Sequence, residues 1–113
     1  MELITEKVGD VTVVILPEMD LDARNVNEFK RDVAALLNTT KKAVFDMSQV
    51  RFVDSSGVGA IFSCLRTLNA AGGDLKLCCP TNAVRIFFSL IRLSLVLGIF
   101  DTQEEAVRAF AAR

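Results

Sequence analysis

Apolar positions in this chain fall into two rhythms. Short β-branched runs alternate with stretches in which apolar residues recur every three or four positions. The first rhythm reads as strands and the second as helices facing a core. Leu3 to Val8 and Val11 to Leu16 predict two strands, with Gly9-Asp10 as the tight turn between them. Val11-Thr12-Val13-Val14-Ile15-Leu16 is nearly continuous, as expected of a strand covered on both faces, and Pro17 ends it. Glu18-Met19-Asp20-Leu21-Asp22 then reads as a short acidic connection. Val26, Phe29, Val33, Leu36 and Leu37 lie on one face of the helix that follows, and Asp22 is placed either to cap it or to meet a partner.

Lys41-Lys42 leads into a short strand, Ala43 to Asp46, and Val50 to Val53 is a second brief extended piece. Val58, Ile61, Phe62, Leu65 and Leu68 mark a helix that runs to about Ala71 and stops at Gly72-Gly73. Leu75 to Cys79 reads as the next strand. Thr81 then caps a helix with Val84, Phe87, Phe88 and Ile91 inward. Arg85 to Phe100 is strongly apolar, but Arg85, Ser89, Arg92 and Ser94 interrupt it. No run reaches the roughly 18 residues a membrane span requires. It divides into a helix to about Ile91, a turn, and a strand near Val96 to Phe100. Thr102-Gln103-Glu104-Glu105 is a capping box for a last helix carrying Ala106, Val107 and Phe110. The order ββαβαβαβα predicts an α/β protein: a small mixed β-sheet packed against helices, in one domain over residues 1–113.

Composition narrows the chemistry. The net charge is −1 and there is no basic stripe, so no direct nucleic-acid contact is expected. Glu2 and Glu6 interrupt any secretory signal pattern. There is no histidine, so neither a Ser-His-Asp unit nor an imidazole zinc site can be built from this chain alone. Tryptophan and tyrosine are also absent, which leaves no stacking platform for single strands beyond phenylalanine. Cys64, Cys78 and Cys79 lack CxxC spacing. Neighbouring cysteines in a strand point to opposite faces, so three reduced thiols acting as small hydrophobes are expected. No cofactor, metal or catalytic residue is predicted.

One stretch stands apart, Arg51 to Phe62. Apolar residues run into Asp54, Ser55, Ser56 and Gly57, and a helical pattern begins at once. Ser55 or Ser56 suits the N-cap, and unpaired N–H groups with the helix dipole favour an anion there. Gly57 and Gly59 are costly in a helix unless something packs close to the backbone.

Asp54-Ser55-Ser56-Gly57-Val58-Gly59 resembles the signature of the STAS domain, in particular that of bacterial anti-sigma factor antagonists. The likeness extends along the chain. Leu21-Asp22 matches the family's turn before the first helix, with Met19 where glycine is usual. Val44-Phe45-Asp46, Gly72-Gly73 with Leu75, Ile99-Phe100-Asp101 and Glu105-Ala106 are similar to family steps in the same order. Val84 to Leu93 looks like another, with Arg92 where glycine is common. The resemblance implies a STAS-like fold and a cytoplasmic partner switch. The unphosphorylated antagonist binds an anti-sigma factor that is also a serine kinase, which frees the sigma factor. Phosphorylation of Ser55 releases the antagonist, and a serine phosphatase resets it. Asp22 and Asp54 then shape the field and contact the partner. Ser56 caps the helix or bonds the turn. Gly57 and Gly59 admit a partner or let the helix pack closely. Such a domain can instead serve a transport system or a stress-sensing assembly, binding a protein or an apolar ligand.

Overall fold

The computed structural model describes residues 1–111. Its strands are β1 (Ile4–Val8), β2 (Val11–Ile15), β3 (Met19–Leu21), β4 (Lys42–Asp46), β5 (Val50–Val53), β6 (Asp74–Cys78) and β7 (Ile99–Phe100). The helices are α1 (Val26–Leu37), α2 (Ser55–Ala70), α3 (Asn82–Leu90) and α4 (Gln103–Ala111). A five-stranded sheet is ordered β1-β2-β4-β6-β7. Only the β1–β2 hairpin is antiparallel; the other pairings are parallel. The predicted mixed sheet with helices against it is therefore what forms.

Burial explains the two rhythms. The inner strands β2, β4 and β6 carry apolar side chains to both faces, because helices cover both. On one face α1 and α2 bring Phe29, Val33, Ile61, Leu65 and Leu68 onto Val14, Phe45, Leu75 and Leu77. Phe29 meets Phe45 edge to face, with ring centres 5.9 Å apart. On the other face α4 lays Ala106 over Val11, Val13, Val44 and Cys78. Every residue of β1 is exposed, as befits an edge strand.

Three expectations need correction. The acidic connection contains a strand, β3, which pairs in parallel with β5 in a separate two-stranded ribbon. Met19 and Leu21 bury on either side of Asp20, a strand's alternation too short to announce itself. The strand expected at Val96 to Phe100 shrinks to Ile99–Phe100, and Leu93–Leu95 forms a 3-10 turn. Arg92 enters that turn at φ 55°, the left-handed region that favours glycine. Finally, Asp22 does not cap α1. Asn25 holds the N-cap position and braces the turn, accepting from the Asp22 N–H at 3.1 Å and donating to the Asp20 carbonyl at 2.6 Å.

Candidate functional site

The β3–β5 ribbon builds the site. Parallel pairing of Leu21 with Val53 brings the turn after β3 beside the turn into α2. The Asp54 N–H donates to the Leu21 carbonyl at 3.2 Å. The Asp54 carboxylate then accepts from the Gly57 N–H at 2.9 Å and, more weakly, from the Ala23 N–H at 3.4 Å. Asp54 is therefore the N-cap of α2, in the position expected for Ser55 or Ser56. The reason is reach: an extended residue before the first turn points its carboxylate at the N–H three residues on, whereas the serines already lie in the helix. Freed of that duty, Ser55 is the first helical residue and is exposed; Ser56 is half-buried beside it.

Charge collects along this edge. The Asp22 carboxylate is held by Arg24, which donates through its backbone N–H at 2.9 Å and its guanidinium at 2.7 Å. These bonds lower the Asp22 carboxyl below its ordinary value of 3.8 against the opposing effect of burial. Arg24 also lies 3.6 Å from Asp20, and Arg51 bridges Asp20 at 3.3 Å and Glu18 at 2.7 Å. Glu18, Asp20, Asp22 and Asp54 thus stand against Arg24 and Arg51, leaving two negative charges in excess. Both guanidinium groups are already engaged.

The two glycines separate. Gly57 is buried, and a Cβ there would overlap the Leu21 carbonyl oxygen and lie 2.9 Å from Val53 Cγ1. The close approach it permits within the chain is that of α2 to β3. Gly59 is exposed, with nothing within 4 Å of where a Cβ would stand.

Sequence reasoning placed Phe87 and Ile91 inside. Instead Phe87 is half-buried and Ile91 is 42% exposed. Two shallow grooves flank Ser55. One runs between β5 and α3 past Phe52, Val84 and Phe87, and the other between α2 and α3 past Val58, Phe62, Phe87 and Ile91. Phe52 is 52% exposed although alternation would set it on the face of the buried Val50; the pattern breaks in β5, where Arg51 and Phe52 are both exposed. Ser55 therefore sits between an acidic edge and an apolar one. No helix among the described residues is long and apolar enough to cross a membrane.

Known proteins resemble this chain in sequence and fold. A Thermotoga maritima protein named "Putative anti-sigma factor antagonist" is 31% identical over 103 residues, 89% of this chain and 91% of its own. The crystal structure of such a protein from that organism superposes with a TM-score of 0.85 at 29% identity, covering 95% of this chain and 92% of that one. The Bacillus cell fate determinant SpoIIAA, in its phosphorylated form, shares the fold at 24% identity, with a TM-score of 0.69 over 96% of this chain and 99% of its own. The STAS domain family model matches residues 2–106, and this chain belongs to the STAS domain family.

Proposed function

We propose that this chain is an anti-sigma factor antagonist switched by phosphorylation of Ser55. STAS anti-sigma factor antagonists are regulatory proteins, not enzymes. In this reading the unmodified chain binds an anti-sigma factor with serine kinase activity in the cytoplasm and frees the sigma factor. Phosphate on Ser55 ends the complex, and a serine phosphatase restores it. One observation carries the reading: an exposed hydroxyl at the first turn of α2, relieved of capping by Asp54, between an apolar rim and an acidic edge whose guanidinium groups are occupied. A kinase can reach that hydroxyl, and the charge it adds arrives beside an edge whose own guanidinium groups are already paired. The phosphorylated state of the Bacillus relative lends support by analogy of fold.

With the cognate kinase and ATP, intact-mass measurement should find one added phosphate on the parent chain and none on Ser55→Ala. A phosphate that persists in Ser55→Ala would place the acceptor elsewhere.

Gly59 gives a second test. A glycine inside a helix costs about 0.5–1 kcal/mol relative to alanine. Among the described residues, nothing lies within 4 Å of where its Cβ would stand. Contact with a partner's backbone supplies a reason. Gly59→Ala should raise stability by about that amount in urea titration and weaken the anti-sigma complex roughly tenfold by calorimetry. Unchanged affinity would remove Gly59 from the interface.

A further inference from the structure

The end of β6 gathers three potential ligand groups on the sheet face opposite α2. Cys78 is fully buried, Asp46 is 5% exposed, and Cys79 is half-buried. Their two thiol sulfurs and one carboxylate oxygen all lie within 4.8 Å of one another. A regular strand would send adjacent cysteines to opposite faces. Here the strand stops at Cys78, and Cys79 turns at φ 58° into the left-handed region, which brings its sulfur back beside its neighbour. That conformation is unfavourable for any side chain but glycine, and more so before Pro80. The neighbouring strand still fixes the residue, because the Cys79 N–H donates to the Phe100 carbonyl at 2.9 Å.

Asp46 is held just as firmly. One carboxylate oxygen accepts from the Ser48 N–H at 2.8 Å and the other from the Gln103 side-chain amide at 2.6 Å. Both donors are neutral, and each oxygen keeps a lone pair. Among the described residues no ion pair reaches this buried carboxylate. Two soft sulfur donors and a carboxylate without a cationic partner thus meet in one corner of the protein.

We propose that Cys78, Cys79 and Asp46 form a binding site for a thiophilic divalent cation of the zinc type. Zinc takes thiolate sulfur at about 2.3 Å and carboxylate oxygen at about 2.0–2.2 Å, which sets ligand atoms about 3.5–3.8 Å apart around a tetrahedral ion. The present cluster, within 4.8 Å, must contract by about 1 Å to reach that spacing. Three protein ligands leave the fourth position for water or a donor from a partner. Binding replaces two S–H bonds with two metal–sulfur bonds and sends two protons to solvent. Gln103 is a positioning residue that orients the carboxylate.

Cadmium is a suitable probe, because its thiolate complexes absorb in the near ultraviolet. Titration of the reduced chain with Cd²⁺, then with competing Zn²⁺, should give a saturable thiolate band at one ion per chain. About two protons should be released per ion, measured in weakly buffered solution. Cys64→Ser should leave the band unchanged, since Cys64 belongs to α2 and packs in the other cluster. Cys79→Gly suits the left-handed backbone, so it should keep the melting temperature while abolishing the band. Gln103→Ala should weaken affinity roughly 10- to 100-fold. Absence of a thiolate band, its survival in Cys79→Gly, or its loss in Cys64→Ser would each overturn the assignment.

Discussion

Phosphorylated on Ser55, the chain is expected to bind its anti-sigma partner about a thousandfold more weakly than it does unmodified, a loss of about 4 kcal/mol. The argument is electrostatic. The phosphate brings about −1.5 to −2 charges at neutral pH. It arrives where Glu18, Asp20, Asp22 and Asp54 already outnumber Arg24 and Arg51 by two. In the free protein, water and the first turn of α2 absorb the charge; a helix N-terminus contributes about 0.3–1 kcal/mol to an adjacent anion. Within a complex the water is gone, and the dianion must be desolvated or the contact broken. The fold should therefore keep its melting temperature while the affinity falls. Ser55→Asp carries about half the charge and should cost roughly thirtyfold. Ser55→Asn has nearly the same shape without the charge, so calorimetry on the two variants separates charge from bulk. The difference between them should shrink as salt is added. Equal affinities for the parent chain, its phosphorylated form and Ser55→Asp would end the switch as an explanation.

The sequence made the large elements readable and concealed the small one that assembles the site. Helix α2 carries apolar residues in register over four turns, and β2 is a continuous β-branched run. Either pattern survives any reasonable shift of boundary. Strand β3 has three residues, two of them apolar, in an acidic setting. Its strand character comes from its pairing with β5, a contact 31 residues away that no local pattern encodes. Without β3 the cap of α2 reads one or two residues late, at Ser55 or Ser56, because local rules favour serine and aspartate almost equally. Long-range pairing decides between them by fixing the Asp54 N–H on the Leu21 carbonyl. The paired cysteines escaped notice for a similar reason. Alternation places them apart, and only the left-handed turn at Cys79 joins them. Arg92 is the opposite case. The family's preference for glycine there was legible, and the backbone keeps the left-handed conformation with a larger residue in place.

Gly57→Ala should be the most damaging single methyl group added to α2, and it should act in the opposite direction from Gly59→Ala two residues away. The added Cβ meets the Leu21 carbonyl oxygen at less than any tolerable separation, with Val53 Cγ1 at 2.9 Å and Leu21 Cγ at 3.1 Å behind it. The first of these is backbone and cannot rotate aside. Leu21 is also fully buried, and its carbonyl accepts the Asp54 N–H. Relief requires α2 to lift from β3. That would lengthen the capping bond from Gly57 to Asp54 and open the core around Ile61. Overpacking of this kind costs about 1–3 kcal/mol, and loss of an N-cap about 1 kcal/mol more. Alanine's better helix propensity returns under 1 kcal/mol. The net is a loss of about 2 kcal/mol, or roughly 8–10 °C in melting temperature for a domain of this size. Urea titration of the two variants side by side is the measurement: Gly57→Ala lower than the parent, Gly59→Ala higher. If both stabilise, α2 does not rest on β3 as closely as the Leu21–Gly57 contact requires, and the shared edge that sets Asp22 beside Asp54 would have to be redrawn.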